Sequence, residues 1–124
     1  MHELSIIGFG DIARRAAPEL ERRFRLVPRS RRSGFDLDQP ATLALPAMDA
    51  LLHCAPPPGS GERDTRTTNL LAALDRGPRP PRRVVYLSTS GVYGDCGGAW
   101  VNESCPLNPQ TARAQRRADA EAQF

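Results

Sequence analysis

The sequence predicts an α/β fold, a doubly wound parallel sheet, from three observations. A glycine-rich turn joins the first apolar segment to a helical one. Apolar strands alternate with helical stretches along the chain, and the run RRVVYLSTSGVYG at residues 82–94 carries an apolar strand straight into a hydroxyl cluster. Short strands separated by helices need crossover connections, which lay helices on both faces of a parallel sheet. Ligands of such sheets bind beyond the carboxyl ends of the strands, so Ser88, Thr89 and Ser90 mark where chemistry is expected.

Residues 4–7 form a short apolar strand, and Gly8-Phe9-Gly10-Asp11-Ile12-Ala13 leads into a helical pattern whose Ile12, Ala16, Ala17 and Leu20 share a face. Pro18 lies inside that helix and is expected to bend it. Residues 24–27 read as a second strand, ending at Pro28-Arg29-Ser30-Arg31-Arg32. Residues 35–38 read as a short third strand, and residues 40–46 as a brief helix or loop. Residues 49–54 are a clearer strand, closed by Ala55 and the triple proline Pro56-Pro57-Pro58. Thr67, Leu70, Leu71 and Leu74 stand at helical spacing within residues 64–74. A proline-rich segment then returns the chain to the strand before Ser88, whose unbroken apolar run is that of a strand buried on both faces. Residues 111–124, rich in Ala, Arg, Glu and Gln, read as a last helix with few large apolar residues, which is expected to dock weakly.

The chain has 124 residues, about one domain, which is short for an α/β enzyme with a separate substrate region. The last helix carries no stop signal, so residues 1–124 read as a single domain truncated before its last strands and substrate region. The 17 basic residues outnumber 14 acidic ones but are scattered, with no basic stripe of interleaved aromatics, so nucleic acid is not an expected partner. All 17 are arginine, and the chain has no lysine. Three cysteines without metal-type spacing suit a reduced, cytoplasmic protein with no zinc site. No segment reads as a leader or a membrane span.

The G-x-G-x-x-A pattern gains meaning from its place between a strand and a helix. Gly8 makes the tight turn, Gly10 lets a pyrophosphate approach the backbone, and Ala13 occupies the close helix–strand contact. The amides of Asp11 and Ile12 then lie at the positive end of the helix, where phosphate is favoured. A structural turn without ligand is the alternative reading. At the end of the second strand an acid would bind ribose hydroxyls, whereas arginine accommodates a 2′-phosphate. Arg29, Ser30, Arg31 and Arg32 hold that place and favour NADP over NAD, against the alternative of solvated loop arginines.

Taken together, Gly8 to Ala13, Asp36-Leu37, the strand ending His53-Cys54-Ala55-Pro56-Pro57, LSTSGVYGD at residues 87–95 and NESCPLNP at residues 102–109 carry a resemblance over essentially the whole chain. The chain resembles the first part of an NAD(P)-dependent epimerase/dehydratase, within the extended or atypical short-chain dehydrogenase/reductases. The resemblance implies a Rossmann-like sheet, with Asp36 and Leu37 near the adenine, and Ala55, Pro56 and Pro57 along a cofactor ribose. It adds Ser88 to the cofactor residues and makes Thr89 the residue that binds and polarises the substrate oxygen. The family pairs that hydroxyl with a proton-exchanging Tyr and a Lys four residues later, whose charge lowers the Tyr pKa and which holds the nicotinamide ribose. Counted without gaps from Pro106-Leu107-Asn108-Pro109, the Tyr position falls on Arg113 and the Lys position on Arg117, with Glu121 closing the motif. Arg117 remains suited to a ribose or phosphate. Arg113, always protonated, cannot exchange the proton.

Tyr93 reads as packing or substrate-lining, Tyr86 and His53 as interior residues, and His2 as part of a mobile terminus. Trp100 has two open readings, on a cleft rim or packing its own loop. Cys96 and Cys105, which flank that loop, are expected to be reduced. Two functions follow. One is an oxidoreductase or epimerase that lacks the usual Tyr/Lys pair, acts on a small carbonyl or sugar-nucleotide-like substrate, and is inactive as residues 1–124 alone. The other is a non-catalytic dinucleotide-binding sensor or scaffold. The sequence carries no signal for the substrate itself or for oligomeric state.

Overall fold

In the computed structural model, which describes residues 1–124, the elements follow the order β1 (His2–Ile7), α1 (Asp11–Leu20), β2 (Phe24–Arg29), β3 (Ala50–His53), α2 (Thr65–Arg76), β4 (Arg83–Tyr86) and α3 (Ala112–Gln123). The four strands are parallel and ordered β2-β1-β3-β4. The chain divides into two compact units, Met1–Pro56 with Asn69–Leu87 and Pro57–Thr68 with Ser88–Phe124.

In the first unit, successive residues of β1 point to opposite faces, yet Leu4, Ser5, Ile6 and Ile7 are all buried. That requires cover on both sides, and two apolar clusters supply it. Leu4 and Ile6 meet Ala13 of α1, with Leu20, Phe24, Leu26 and Leu52 packed around them. Ile7 and Leu51 lie among Phe35, Leu37, Leu43, Leu45, Met48 and the α2 residues Leu70 and Ala73. This is the doubly wound sheet that the strand–helix alternation predicts.

Three local expectations are corrected. The buried stripe of α1 is Ala13, Ala17 and half-buried Leu20, at spacings of four and three, while Ile12 is 59% exposed beside the glycine turn. The helix runs on through Pro18 and ends two residues later at Leu20, so the amide missing at Pro18 falls in its last turn. Residues 35–38 form no strand. Phe35 and Leu37 are buried as alternation demands, but the Asp36 amide donates to Thr42 Oγ1 at 2.9 Å and the Gln39 amide to the Asp36 carbonyl at 2.9 Å. Those bonds close a turn and use the groups that a ladder would need. The chain goes on through a 3-10 turn at Pro40–Thr42, after which Leu43 and Leu45 are buried.

The third correction concerns β4. It pairs only with β3, and Val84 and Val85 are 37% and 51% exposed rather than buried on both faces. An apolar run shows what a strand can bury; here β4 is the sheet edge.

Asp49, just before β3, ties the start of β1 to its neighbour. Its carboxylate accepts the Glu3 amide at 2.8 Å, with His2 Nδ1 at 3.5 Å and Arg79 at 3.6 Å. The Glu3 bond chiefly holds Asp49 below its ordinary pKa, against partial desolvation, and His2 and Arg79 add to the lowering. Stability from this group is therefore full above the ordinary Asp pKa of about 4 and is lost as pH falls through the lowered folded value. Thermal melts of Asp49→Asn should show a lower Tm than the parent at pH 7. The difference should shrink as pH falls below the ordinary Asp value and through the lowered folded one.

The second unit is held by hydrogen bonds more than by apolar contact. Asp64, fully buried, caps the start of α2: its carboxylate accepts the Thr67 amide at 3.1 Å and the Thr67 hydroxyl at 2.8 Å. From α3, Asp119 accepts the Asp64 amide at 2.8 Å and Gln123 donates to the Asp64 carbonyl at 3.0 Å. Arg116, 8% exposed, donates to the Gly61 carbonyl at 2.7 Å. Only small residues, Ala114 and Ala120, bury apolar surface on this helix, so the scarcity of large side chains is met by polar docking.

Candidate functional site

Every strand of a parallel sheet ends on the same side, and in the first unit the carboxyl ends of β1, β2 and β3 bring together Gly8, Arg29 and Ala55. Gly8 has φ +83°, and its amide donates to the Arg29 carbonyl at 2.9 Å. A Cβ placed on it would lie 2.7 Å from the Ala55 amide nitrogen. Glycine is therefore required twice, for its left-handed backbone and for the close approach of two chain segments.

Gly10 differs. Its φ of −89° suits any residue, and an added Cβ would meet nothing within 4 Å. It precedes α1 as the N-cap, and no side chain caps the helix: the nearest acid, Asp11, is 3.0 Å from Arg15 Nε in an ion pair along the helix. The first amides of α1, those of Asp11, Ile12 and Ala13, thus lie at a positive helix end beside open space, a fit for a pyrophosphate. Ala13, 1% exposed, sits at the close contact of helix and sheet.

At the end of β2, Arg29 is half-buried and its Nε lies 3.5 Å from the Ser5 hydroxyl. Ser30 opens a 3-10 turn over Arg31–Ser33 that closes on Gly34 at φ +80°. Arg31 and Arg32 are exposed. Asp36, half-buried, uses a carboxylate oxygen to accept the Asp38 amide at 2.9 Å, while the Leu37 side chain lies in the core and its carbonyl accepts from Asn69 at 2.7 Å. Ala55 is buried and Pro56 exposed after β3. His53 is fully buried with its ring 5.2 Å from that of Tyr86, and burial pushes the Cys54 thiol up, so neither reads as a reactive group.

In the second unit, Thr89 is exposed and precedes the 3-10 turn Ser90–Tyr93, with its Oγ1 accepting the Gly91 amide at 3.4 Å. The turn is fastened to the later proline segment, since the Asn108 amide donates to the Val92 carbonyl at 2.8 Å. Gly94, at φ +73°, lets its backbone lie against the Asn108 carbonyl. These contacts join the V-Y-G turn to the P-L-N-P segment. Ser88 Oγ is buried and makes no hydrogen bond within the protein, the state of a hydroxyl that a ligand would satisfy. On α3, which packs against the turn near Ala114, Arg113 is exposed and Arg117, one turn later, is half-buried. Pro57 is half-buried, and its carbonyl accepts from Arg66 at 3.3 Å.

Sequence reasoning passed over Ser5, Asp64 and Arg116. A lone serine in the apolar strand LSII was the one available signal for Ser5. Asp64 precedes a helix and fits the capping preference, whereas nothing local distinguishes Arg116 from its neighbours. No group of His, Cys, Asp and Glu is arranged to hold a metal ion, and no helix is long and apolar enough to cross a membrane.

No protein-family model and no curated protein matches the sequence. Solved structures do match. RMD from Pseudomonas aeruginosa, complexed with NADPH, superposes with a TM-score of 0.77 at 21% identity over 99% of this chain and 47% of that one. A short-chain dehydrogenase/reductase superfamily protein from Agrobacterium tumefaciens with bound NAD gives 0.73 at 18% identity, over 98% of this chain and 43% of that one. The chain has the Rossmann-like fold of the short-chain dehydrogenase/reductase and epimerase structures. A protein of unknown function from Silicibacter pomeroyi is 30% identical, with a TM-score of 0.65 over 99% of this chain and 47% of that one. The chain spans about half the length of these proteins.

Proposed function

We propose that the chain binds a nicotinamide dinucleotide, NADP in preference to NAD, as part of an epimerase/dehydratase of the short-chain dehydrogenase/reductase type. The observation that carries this reading is the join of β1 and α1. There a glycine that its surroundings require, Gly8, is followed by one whose Cβ space is empty, Gly10, at a helix start without a side-chain cap. The matching structures bound to NADPH and NAD support the same partner. Arg29, Ser30 and Arg31 are assigned to the 2′-phosphate, because a positive end of β2 favours a phosphate over a free ribose hydroxyl. Asp36 and Leu37 are assigned to the adenine, Ala55 to Pro57 to a ribose, Ser88 to the cofactor and Thr89 to a substrate oxygen. Three free cysteines support a reducing, cytoplasmic setting.

Arg113 stands where the proton-exchanging tyrosine is expected and holds its proton near neutral pH, so it cannot take that role. Residues 1–124 should therefore show no turnover by themselves. The same residue favours a second reading, a sensor or scaffold that binds the dinucleotide without reaction. Titration of NADPH and NADH into this chain tests the shared binding claim, and nicotinamide absorbance over a panel of carbonyl substrates, followed with a full-length protein, separates the two readings: binding without turnover across the panel contradicts the enzyme reading. Tighter NADPH binding is expected; tighter NADH binding contradicts the role given to the β2 arginines, and turnover by residues 1–124 alone contradicts their expected inactivity.

A further inference from the structure

Ser5 is the one polar residue in the buried stretch Leu4 to Ile7, and it is fully inaccessible. A buried hydroxyl is costly unless it is hydrogen-bonded, so its partner matters. That partner is Arg29 Nε, at 3.5 Å a long hydrogen bond in which the guanidinium donates. In the parallel register Ser5 stands opposite Val27 and Ile7 opposite Arg29. The Arg29 side chain therefore leans back along the sheet toward β1 instead of extending into the turn that follows.

This geometry has a chemical consequence. A guanidinium engaged through Nε keeps both terminal nitrogens for another group, and those of Arg29 make no bond within the chain. Such a fork suits the oxygens of a phosphate monoester. The Arg29 carbonyl accepts the Gly8 amide, so this arginine is anchored directly beside the glycine loop, whereas Arg31 and Arg32 are exposed on a turn. Fixing the head of a long side chain in advance removes rotamer entropy that would otherwise be lost on binding.

We propose that Ser5 is a positioning residue for cofactor choice, holding Arg29 through Nε so that its terminal nitrogens meet the 2′-phosphate of NADP. The inference rests on the dinucleotide reading above and deepens it, from a charged loop to one oriented guanidinium with a buried support.

Dissociation constants for NADPH and NADH would be measured on the parent, Ser5→Ala, Arg29→Gln and the double variant. Ser5→Ala is expected to weaken NADPH by roughly threefold to tenfold, the size of one ordinary hydrogen bond. NADH should stay within about twofold, since a neutral 2′-hydroxyl stands where NADPH carries a charged phosphate. On the Arg29→Gln background, Ser5→Ala should change neither constant. Equal weakening of both dinucleotides by Ser5→Ala would mean a merely structural serine, and a change of preference that persists without Arg29 would also overturn the proposal. Failure of the underlying reading shows elsewhere, in a parent that binds neither dinucleotide or prefers NADH.

Discussion

Gly8→Ala is expected to destabilise the first unit by roughly 2–5 kcal/mol, the sum of forcing a side chain into a left-handed backbone and of overpacking against a neighbouring segment. The atoms it would strike are the backbone nitrogen and Cα of Ala55, at 2.7 and 2.8 Å, which cannot swing aside as a flexible side chain would. Because Gly8 also bonds to the end of β2, the shift would disturb the ends of three strands together. Dinucleotide binding should disappear with the fold, seen as a lowered urea midpoint and a flat titration. Gly10→Val supplies the contrast. Its backbone angles are ordinary and its Cβ space is empty, so Tm should hold while NADPH affinity falls roughly tenfold to a hundredfold, as one or two charge-assisted bonds to phosphate are lost. A matched loss of stability in both variants would mean that Gly10 serves the fold, not a ligand.

Asp64→Ala is the second large effect, about 2–4 kcal/mol. It removes the cap of α2 and with it the carboxylate that accepts both the Thr67 amide and the Thr67 hydroxyl. The backbone bonds of residue 64 to Asp119 and Gln123 remain, so loss is expected at the start of α2 and not in the docking of α3. Asp64→Asn should recover most of the loss, because Asn caps as well as Asp. Denaturant midpoints of the two variants test this, and equal destabilisation would show that the negative charge, not the cap, is what matters.

Much of this fold was legible because its signals are local. The glycine turn, α1 and the strands at residues 4–7, 24–27 and 49–54 follow from patterns within a few residues, and the structure differs from them mainly at their ends. What escaped was decided by distant partners. The Phe35 and Leu37 alternation is real, yet Thr42 takes the hydrogen bonds of Asp36 and no third strand forms. Val84 and Val85 read as interior because apolarity records capacity for burial, while exposure depends on what lies beyond β4. Ile12 shares a sequence spacing with Leu20, but the sheet lies against Ala13 and Ala17, whose small side chains allow the close approach. In the candidate site, the glycines and arginines announced themselves by type and position. Ser5 did not, since its role depends on a strand register that sets Arg29 opposite Ile7, from where its side chain reaches back to residue 5.

The claim on which the account turns is that the β1–α1 join holds the phosphates of a dinucleotide. Parallel calorimetric titrations of NADPH into the parent and into Gly10→Val, with Tm recorded for both, test it most directly. One NADPH per chain on the parent, and its loss in a variant that melts at the same temperature, is the predicted result. A parent that takes up no NADPH, or a Gly10→Val chain that binds it equally well, would contradict the account.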